Sequence, residues 1–415
     1  MRKVLVVGAG QSGLQLALGL VANGYDVTVM SARTPEEIRA GRVMSTQCMF
    51  GPSLAHERDL GLDLWAGHAP DVTGIGLSVA APDERGGRVR ALDWWARLDE
   101  RAQSVDQRVK MAGWLELLED RGGNVVYHGV TTADLNSLTR MYDLVVVAAG
   151  KGELVQAFSR DAGRSPYTAP QRILSVAYVH GLAPRPEHPE EHVVRFNAVP
   201  GVGELFVIPA LTLSGPCDIL FFEGVPGGQL DCWDDRPGPA EHLRRMLDLV
   251  REFVPWEYER CGSVELTDAR ATLTGAYAPV VRKPVGVLPS GGRVLGMADV
   301  VVANDPITGQ GSNNAAKCAA SYLDSILARG GEPFDEAWMT EVFESYWDDA
   351  RHATTWTNAM LQPPPEHIMR IFGTARDVPA VAGRFVNAFA DPSDLAQWFY
   401  DPESADRYLT SVTGG

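Results

Sequence analysis

Lys3-Val4-Leu5-Val6-Val7, running directly into Gly8-Ala9-Gly10-Gln11-Ser12-Gly13, is the most informative stretch of the chain. The first five residues are apolar and β-branched apart from Lys3 and Leu5, the pattern of a short buried strand. After the glycines, Leu14, Leu16, Ala17, Leu18, Leu20 and Val21 predict a helix that is apolar on more than one side. Asn23-Gly24 ends it, and residues 26 to 30 read as a second strand. Gly8, Gly10 and Gly13 therefore form G-x-G-x-x-G between a strand and a helix. The first glycine permits the turn and the second lets a pyrophosphate approach the backbone. The third lets helix and strand pack closely, while the helix start offers unpaired N–H groups to the anion. Gln11 and Ser12 lie at that start. In this context the motif predicts dinucleotide binding rather than a plain turn.

The composition narrows the rest. The chain has 415 residues, 45% hydrophobic and 22% charged, which suits a globular enzyme of two to three domains. Lys plus Arg is 37 and Asp plus Glu is 53, a net charge of −16. A nucleic-acid backbone would be repelled, so none is expected as a partner, though a local pocket for a small anion remains allowed. Cys48, Cys217, Cys232, Cys261 and Cys318 are odd in number and lack C-x-x-C spacing, so a reducing cytoplasmic setting is expected and no redox role is assigned. Met1-Arg2-Lys3 mimics a signal peptide but runs into the glycine turn. No apolar stretch is long enough to span a membrane, and none is expected to do so.

Further along, residues 102 to 121 predict an amphipathic helix, with Val105, Val109, Ala112 and Leu115 at helical spacing. Gly122-Gly123 stops it before a strand at Val125-Val126-Tyr127, and residues 144 to 149 read as a buried strand closed by Gly150. Between about 170 and 275 short strands alternate with Pro/Gly turns, the texture of an antiparallel sheet. Residues 183 to 191 and 224 to 239 read as exposed loops. A buried strand at 293 to 297 and an Ala-rich helix at 312 to 328 follow. The segment from about 335 to 400 is helical and rich in tryptophan (Trp338, Trp347, Trp356, Trp398), which at helical spacing is usually core.

A second set of markers lies downstream. Asp299 closes a Gly296-Met297-Ala298-Asp299 turn after a buried strand and could accept a hydrogen bond from a ribityl hydroxyl. Asp305-Pro306-Ile307-Thr308-Gly309-Gln310-Gly311 then leads into Ser312-Asn313-Asn314 at a second helix start. That turn would lay backbone N–H groups against a flavin ring and a phosphate. Two such helix starts so far apart point to FAD wrapped across one domain rather than NAD. The usual acid at the end of the second strand is replaced by Ser31, and Arg33 follows. Arg33 reads as a phosphate or adenine contact or as a solvated loop residue. Arg42 reads as a neighbour of the pyrophosphate or as half of a surface salt bridge.

These motifs, with Tyr142-Asp143-Leu144-Val145-Val146 to Gly150-Lys151-Gly152, resemble the para-hydroxybenzoate hydroxylase-type flavoprotein monooxygenases. More closely, Val27-Thr28-Val29 with Arg33, Asp305-Pro306 to Asn313, and Arg351 to Trp356-Thr357-Asn358 resemble the epoxidase component of two-component styrene and indole monooxygenases, over nearly the whole chain. The resemblance implies an α/β fold: a Rossmann-like FAD-binding domain (1–45, 100–165 and 270–330), an inserted, mostly antiparallel substrate domain (46–99 and 166–269), and a helical C-terminus (331–415). It implies FAD used as FADH2, supplied by a separate NADH-dependent flavin reductase, and no second dinucleotide site is found in the sequence. It implies O2 as co-substrate and a flavin C4a-hydroperoxide as the oxidant, which fits the absence of a Ser-His-Asp set, an acid dyad or a metal cluster. His128 and His352 are scattered and read as structural. The halogenase pattern W-x-W-x-I-P is missing around Trp94-Trp95. A homodimer is left open.

Within that family, Ser45, Gln47 and Met49 stand where styrene-preferring members have Asn, Val and His, and they match the indole-preferring ones. Val72, Ile75 and, less directly, Ala102 follow the same choice. Singly, each reads as core. Together they predict a pocket for indole, whose N–H could bond Ser45 or Gln47, with styrene and aryl sulfides as secondary substrates; the alternatives are a styrene epoxidase or a natural-product tailoring flavin oxygenase on the same fold. Pro306 joins Ser45, Gln47 and Met49 as the group expected beside the reacting centre.

Overall fold

Residues Val4 to Val7 are wholly buried, which suits a strand covered on both faces at the centre of a parallel sheet. In the computed structural model, residues 2–150 and 152–414 are described. Lys151 of the Gly150-Lys151-Gly152 turn lies outside them, as do the terminal Met1 and Gly415. The chain opens with β1 (Lys3–Val7), α1 (Gln11–Ala22), β2 (Asp26–Ser31), α2 (Pro35–Arg39) and α3 (Gly51–Asp59). A long hairpin follows, β3 (Val72–Pro82) and β4 (Arg88–Ala102). Then come α4 (Gln107–Asp120), β5 (Asn124–Tyr127), α5 (Thr132–Leu138) and β6 (Leu144–Val147). The middle of the chain holds β7 (Ile173–His180), β8 (Val193–Val199), β9 (Gly203–Thr212) and β10 (Gly215–Gly224), then α6 (Pro239–Phe253) and α7 (Pro255–Tyr258). Short strands β11 (Glu265–Leu266), β12 (Thr272–Gly275), β13 (Val280–Val281), β14 (Val285–Val287), β15 (Arg293–Gly296) and β16 (Val302–Ala303) lead into α8 (Gly311–Arg329). The rest is helical: α9 (Glu336–Met360), α10 (Glu366–Asp377), α11 (Pro379–Asn387) and α12 (Pro402–Thr413).

The first sheet runs β14-β15-β6-β1-β2-β5, parallel throughout except for the β14–β15 hairpin. Strand order reverses between β6 and β1, so a crevice lies at the carboxyl ends of these strands, where open α/β sheets bind ligands. The second sheet runs β11-β7-β10-β9-β8-β3-β4, with β12 also paired to β7. It is antiparallel except where β3 meets β8. On β9, Phe206, Ile208 and Ala210 pack toward α9–α12, while Leu205 and Val207 pack toward α6. Both faces are thus covered, and the strands read as apolar runs rather than alternating ones.

Three expectations change. The predicted helix at 102 to 121 begins only at Gln107, because β4 extends to Ala102 and the next residues pair with β9. Leu211 N–H donates to the Ser104 carbonyl at 2.9 Å and Asp106 N–H to the Leu211 carbonyl at 2.8 Å. Asp106 then caps α4 by accepting from Arg108 N–H at 2.8 Å. Second, the region from 170 to 275 contains a fifteen-residue helix, α6, which buries Leu243, Met246, Val250 and Phe253 against the sheet. Third, β12 at 272–275 and the end of β4 belong to the second sheet, although the 270–330 and 100–165 ranges expected for the nucleotide domain include them.

Glu57 of α3 and Lys110 of α4 form an ion pair with side chains only 2% and 5% exposed. Gln11 Nε2 on α1 donates to Glu57 Oε1 at 2.9 Å, so three helices meet at one buried carboxylate. Removing one partner leaves an uncompensated charge. Lys110→Met should therefore lower the unfolding free energy in urea by about 3–5 kcal/mol, and adding Glu57→Leu should recover most of that loss.

Candidate functional site

Gly8 leaves β1 with φ +118°, a conformation that side chains rarely adopt, and its N–H donates to the Met30 carbonyl of β2 at 3.0 Å. A Cβ at Gly13 would stand 2.1 Å from the Gly8 carbonyl oxygen, so α1 abuts the turn more closely than any other residue allows. A Cβ at Gly10, by contrast, would meet nothing within 4 Å. Gly10 is the N-cap of α1 and offers no side-chain cap, so the helix start faces open space with its amides free of any capping side chain.

The downstream markers come to the same edge. Strand β15 runs parallel to β6, and beyond it Ala298 takes φ +50°, a strained value for a residue with a Cβ. Asp299 follows, exposed, and a Cβ at Gly150 would lie 2.7 Å from its own Cβ. Asp305 caps the short turn Pro306–Thr308 by accepting from Ile307 N–H at 3.2 Å. Gly309 takes φ +63°, and α8 starts at Gly311 without a side-chain cap. The Ser312 hydroxyl there is buried without a hydrogen-bond partner. Helix α1 packs on α8, so the two open helix starts belong to neighbouring helices.

Several polar side chains expected at the cofactor are committed to the protein instead. Gln11 bonds Glu57 and Gln15. Gln310 Nε2 donates to the Thr308 and Phe389 carbonyls, at 3.3 and 3.0 Å. Asn313 accepts from Phe50 N–H at 2.9 Å and donates to the carbonyls of Cys48 at 2.8 Å and Gly309 at 3.0 Å. It clasps the 48–50 segment to the second glycine turn. The Ser31 hydroxyl donates to the Arg33 carbonyl at 2.6 Å. The Arg33 guanidinium is exposed and, among the described residues, bonds only the Met44 sulfur, at 3.9 Å. Arg42 is exposed and makes no ion pair among the described residues.

Between the two sheets, the Ser45 hydroxyl donates to Gln47 Oε1 at 2.9 Å, and Gln47 Nε2 donates to the Val105 carbonyl. The Tyr178 hydroxyl of β7 donates to the Ser45 carbonyl at 2.8 Å, and burial holds that phenol far above its usual pKa. Met49 pairs with Gln103 in a backbone bridge and packs on Leu54 and Ala316. Val72 faces Ala102 across the β3–β4 pair, and with Ile75 they lie in one apolar cluster with Val43, Cys48 and Tyr178. All three are packed, not cavity-lining. A cavity of about 600 Å³ lies farther along the same face, between the second sheet and the α9–α10 connection. Leu77, Phe196, Ala198, Met360 and Phe372 line it, with the Arg172–Glu204 ion pair at its polar end. None of these was singled out from sequence. Leu77 lies two residues beyond Ile75 on the same face of β3, and that period-two step was the available signal.

Burial alone pushes the Cys48 thiol up to about 12, and Cys318 likewise, burial first, to about 12, so neither is poised as a nucleophile. The C-terminal tryptophans 356 and 398 are wholly buried core. Among the described residues no group of three or more His, Cys, Asp or Glu side chains is arranged to hold a metal ion, and no helix is long and apolar enough to cross a membrane.

Comparison with known proteins places this arrangement. Residues 150–260 match the family model of the styrene monooxygenase A putative substrate binding domain. The whole chain is similar to styrene monooxygenase StyA of Pseudomonas fluorescens, 30% identical over 97% of this chain and 96% of the relative. The chain belongs to the styrene monooxygenase StyA family. A StyA from Pseudomonas sp is 29% identical over 99% of this chain and 98% of that protein. The fold is shared with p-nitrophenol 4-monooxygenase PnpA from Pseudomonas putida DLL-E4, at 16% identity and a TM-score of 0.62 over 93% and 97% of the two chains. This StyA-family chain is thus a flavoprotein monooxygenase with FAD as its cofactor.

The Asn313 clasp makes its own prediction. Asn313→Ala removes three hydrogen bonds and strands the buried Phe50 N–H. Urea unfolding should show a loss of about 2–3 kcal/mol, with Asn314→Ala, whose amide nitrogen is already unpartnered, costing much less.

Proposed function

We propose that this enzyme takes FADH2 from a separate NADH-dependent flavin reductase and, with O2, epoxidises the C2–C3 bond of indole. Indoxyl-type products and indigo would follow, with styrene epoxidation and sulfoxidation as secondary activities. The observation that carries the indole reading is the Ser45 hydroxyl. Its proton is committed to Gln47, so what it offers a substrate is lone pairs, and an indole N–H is the donor that styrene lacks. A site built to accept such a bond favours the substrate that makes it. The 600 Å³ cavity farther along the sheet, which Ser45 and Gln47 do not line, is apolar along most of its wall and roomy for either ring system, so its shape alone would discriminate weakly.

The chain's own groups have assignable roles toward FAD. Gly8, Gly10 and Gly13, with the amides of Gln11 and Ser12, would receive the pyrophosphate, and Arg33 and Arg42 would supply positive charge toward the adenosine and phosphate side. Asp299 would take a ribityl hydroxyl. Pro306, Gly309, Gln310, Gly311 and Ser312 would lie along the ring, with Gln310 and Asn313 fixing that backbone rather than touching the cofactor. The uncapped helix starts, the open space beside Gly10 and the orphaned Ser312 hydroxyl support this fit. Bound FAD supplies the oxygen chemistry; the protein orients the substrate and excludes water. Val72, Ile75 and Ala102 back the 43–48 wall from the core, and Met49 anchors its far end.

The relatives' name favours a second reading, that styrene is the preferred substrate. Product formation from indole and styrene, with FAD, NADH and an unrelated flavin reductase each omitted in turn, separates the two. The proposal predicts product only with the reductase present, and faster turnover of indole. Faster styrene turnover would transfer the assignment to styrene, and NADH consumption without the reductase would remove the two-component reading. Ser45→Asn, Gln47→Val and Met49→His together should move the indole/styrene rate ratio toward styrene by roughly tenfold, about one hydrogen bond; an unmoved ratio would refute the role of this wall. Gly10→Val, which fills the open space at α1, should weaken FAD binding at least tenfold or so without lowering the melting temperature. Arg33→Ala should raise the FAD dissociation constant severalfold, roughly the value of an exposed charge contact.

A further inference from the structure

Glu223, on β10, is fully buried and among the described residues has no cation or N–H donor on either carboxyl oxygen. Among the described residues the side chain set against it is the carboxyl of Asp305, itself 2% exposed, from the loop that leads into α8. Directly opposite Glu223 in the β9–β10 register stands a third acid, Glu204. Among the described residues one cation serves the group: Arg172, whose guanidinium is spent on Glu204 through two bonds of 2.7 and 2.9 Å. Tyr277 faces the same cluster from the preceding segment, its hydroxyl donating to the Asn304 carbonyl. Three carboxyls and one arginine cannot all be charged in a buried site, and two carboxyls bond each other only when one keeps its proton. Burial and the neighbouring Asp305 and Glu204 hold Glu223 well above the usual carboxylate range, and burial raises Asp305 to about 6. Glu223 is therefore the donor and Asp305 the acceptor.

The pair joins the second sheet to the cofactor loop. Asp305 accepts from Ile307 N–H at 3.2 Å and lies beside the Glu223 carboxyl, so a proton shared between the two acids would set the start of the Pro306–Thr308 turn together with that bond. We propose that Glu223 is a positioning residue for the FAD loop, its shared proton with Asp305 fixing Asp305-Pro306 against the substrate sheet. This rests on the placement of FAD along residues 306–312. The sign follows from proton linkage. A carboxyl raised in the folded state binds its proton more tightly there than in the unfolded chain. Its stabilisation is thus full below the ordinary carboxylate pKa and lost as pH rises through the folded value. Above that value two adjacent carboxylates repel and the loop loses its tether.

The test is titration of oxidised FAD into the full-length protein from about pH 6 to about pH 9, for the wild type, Glu223→Gln, Glu223→Leu and Gly10→Val. The wild-type dissociation constant should rise roughly tenfold where pH passes through the folded Glu223 value. Glu223→Gln keeps a neutral donor to Asp305 and should bind as the wild type does at low pH but without the alkaline rise. Glu223→Leu, with no proton to share, should bind roughly tenfold more weakly than the wild type does at low pH, and without the wild-type pH dependence. Infrared spectra of the protein without FAD give a second readout: a protonated-carboxyl band present at neutral pH and lost in Glu223→Gln. A Glu223→Gln protein that keeps the wild-type pH dependence, or a missing band, would overturn the proposal. If Gly10→Val weakens FAD binding while both Glu223 variants bind as the wild type, the positioning role alone fails. If Gly10→Val leaves binding unchanged, the FAD placement fails and the proposal falls with it.

Discussion

The contact on which everything else rests is the approach of Gly13 to the Gly8 carbonyl, where a single methyl group would sit 2.1 Å from the oxygen. It sets α1 tight on the turn after β1 and leaves its first amides pointing past Gly10 into open space. Because α1 packs on α8, the position of the first helix start fixes that of the second. The carboxyl ends of β1, β6 and β15 then form one rim, carrying Gly8, Gly150 and Asp299.

Two polar devices connect that rim to the second sheet. Asn313 holds residues 48–50 to Gly309, and Tyr178 holds the Ser45 carbonyl to β7. The 45–50 segment is therefore suspended between the loop before α8 and the second sheet, with Gln47 bracing it on Val105. The proposed Glu223–Asp305 pair would make a third connection, from β10 to the loop before α8. In each case side chains hold backbone in place, which is economical for an enzyme whose chemistry resides in a bound cofactor.

Much of this was legible from local pattern. The β1–α1–β2 unit, the glycine turns, the β8 strand and α8 follow from periodicity and from glycine where only glycine fits. What escaped were features set by distant pairing. Residues 102–106 have helical spacing but are held extended by Leu211, over a hundred positions away. Helix α6 carries a plain apolar stripe at 243, 246, 250 and 253, masked by the Pro/Gly texture around it. Sequence could name Gln310 and Asn313 as belonging to the cofactor loop, but not that their amides turn inward. It also could not show that Glu223, one acid among fifty-three, is buried against another. The cavity lining was missed for the same reason, since it is assembled from β3, β8 and the α9–α10 connection.

The central claim is that FAD lies along the rim between the two sheets, its pyrophosphate at the open start of α1 and its ring along residues 306–312. A crystal structure of the protein soaked with oxidised FAD tests this most directly. The account predicts pyrophosphate oxygens against the amides of Gln11 and Ser12 and the ring edge facing the Ser45–Gln47 wall. Flavin density elsewhere, or a ring turned away from that wall, would contradict it.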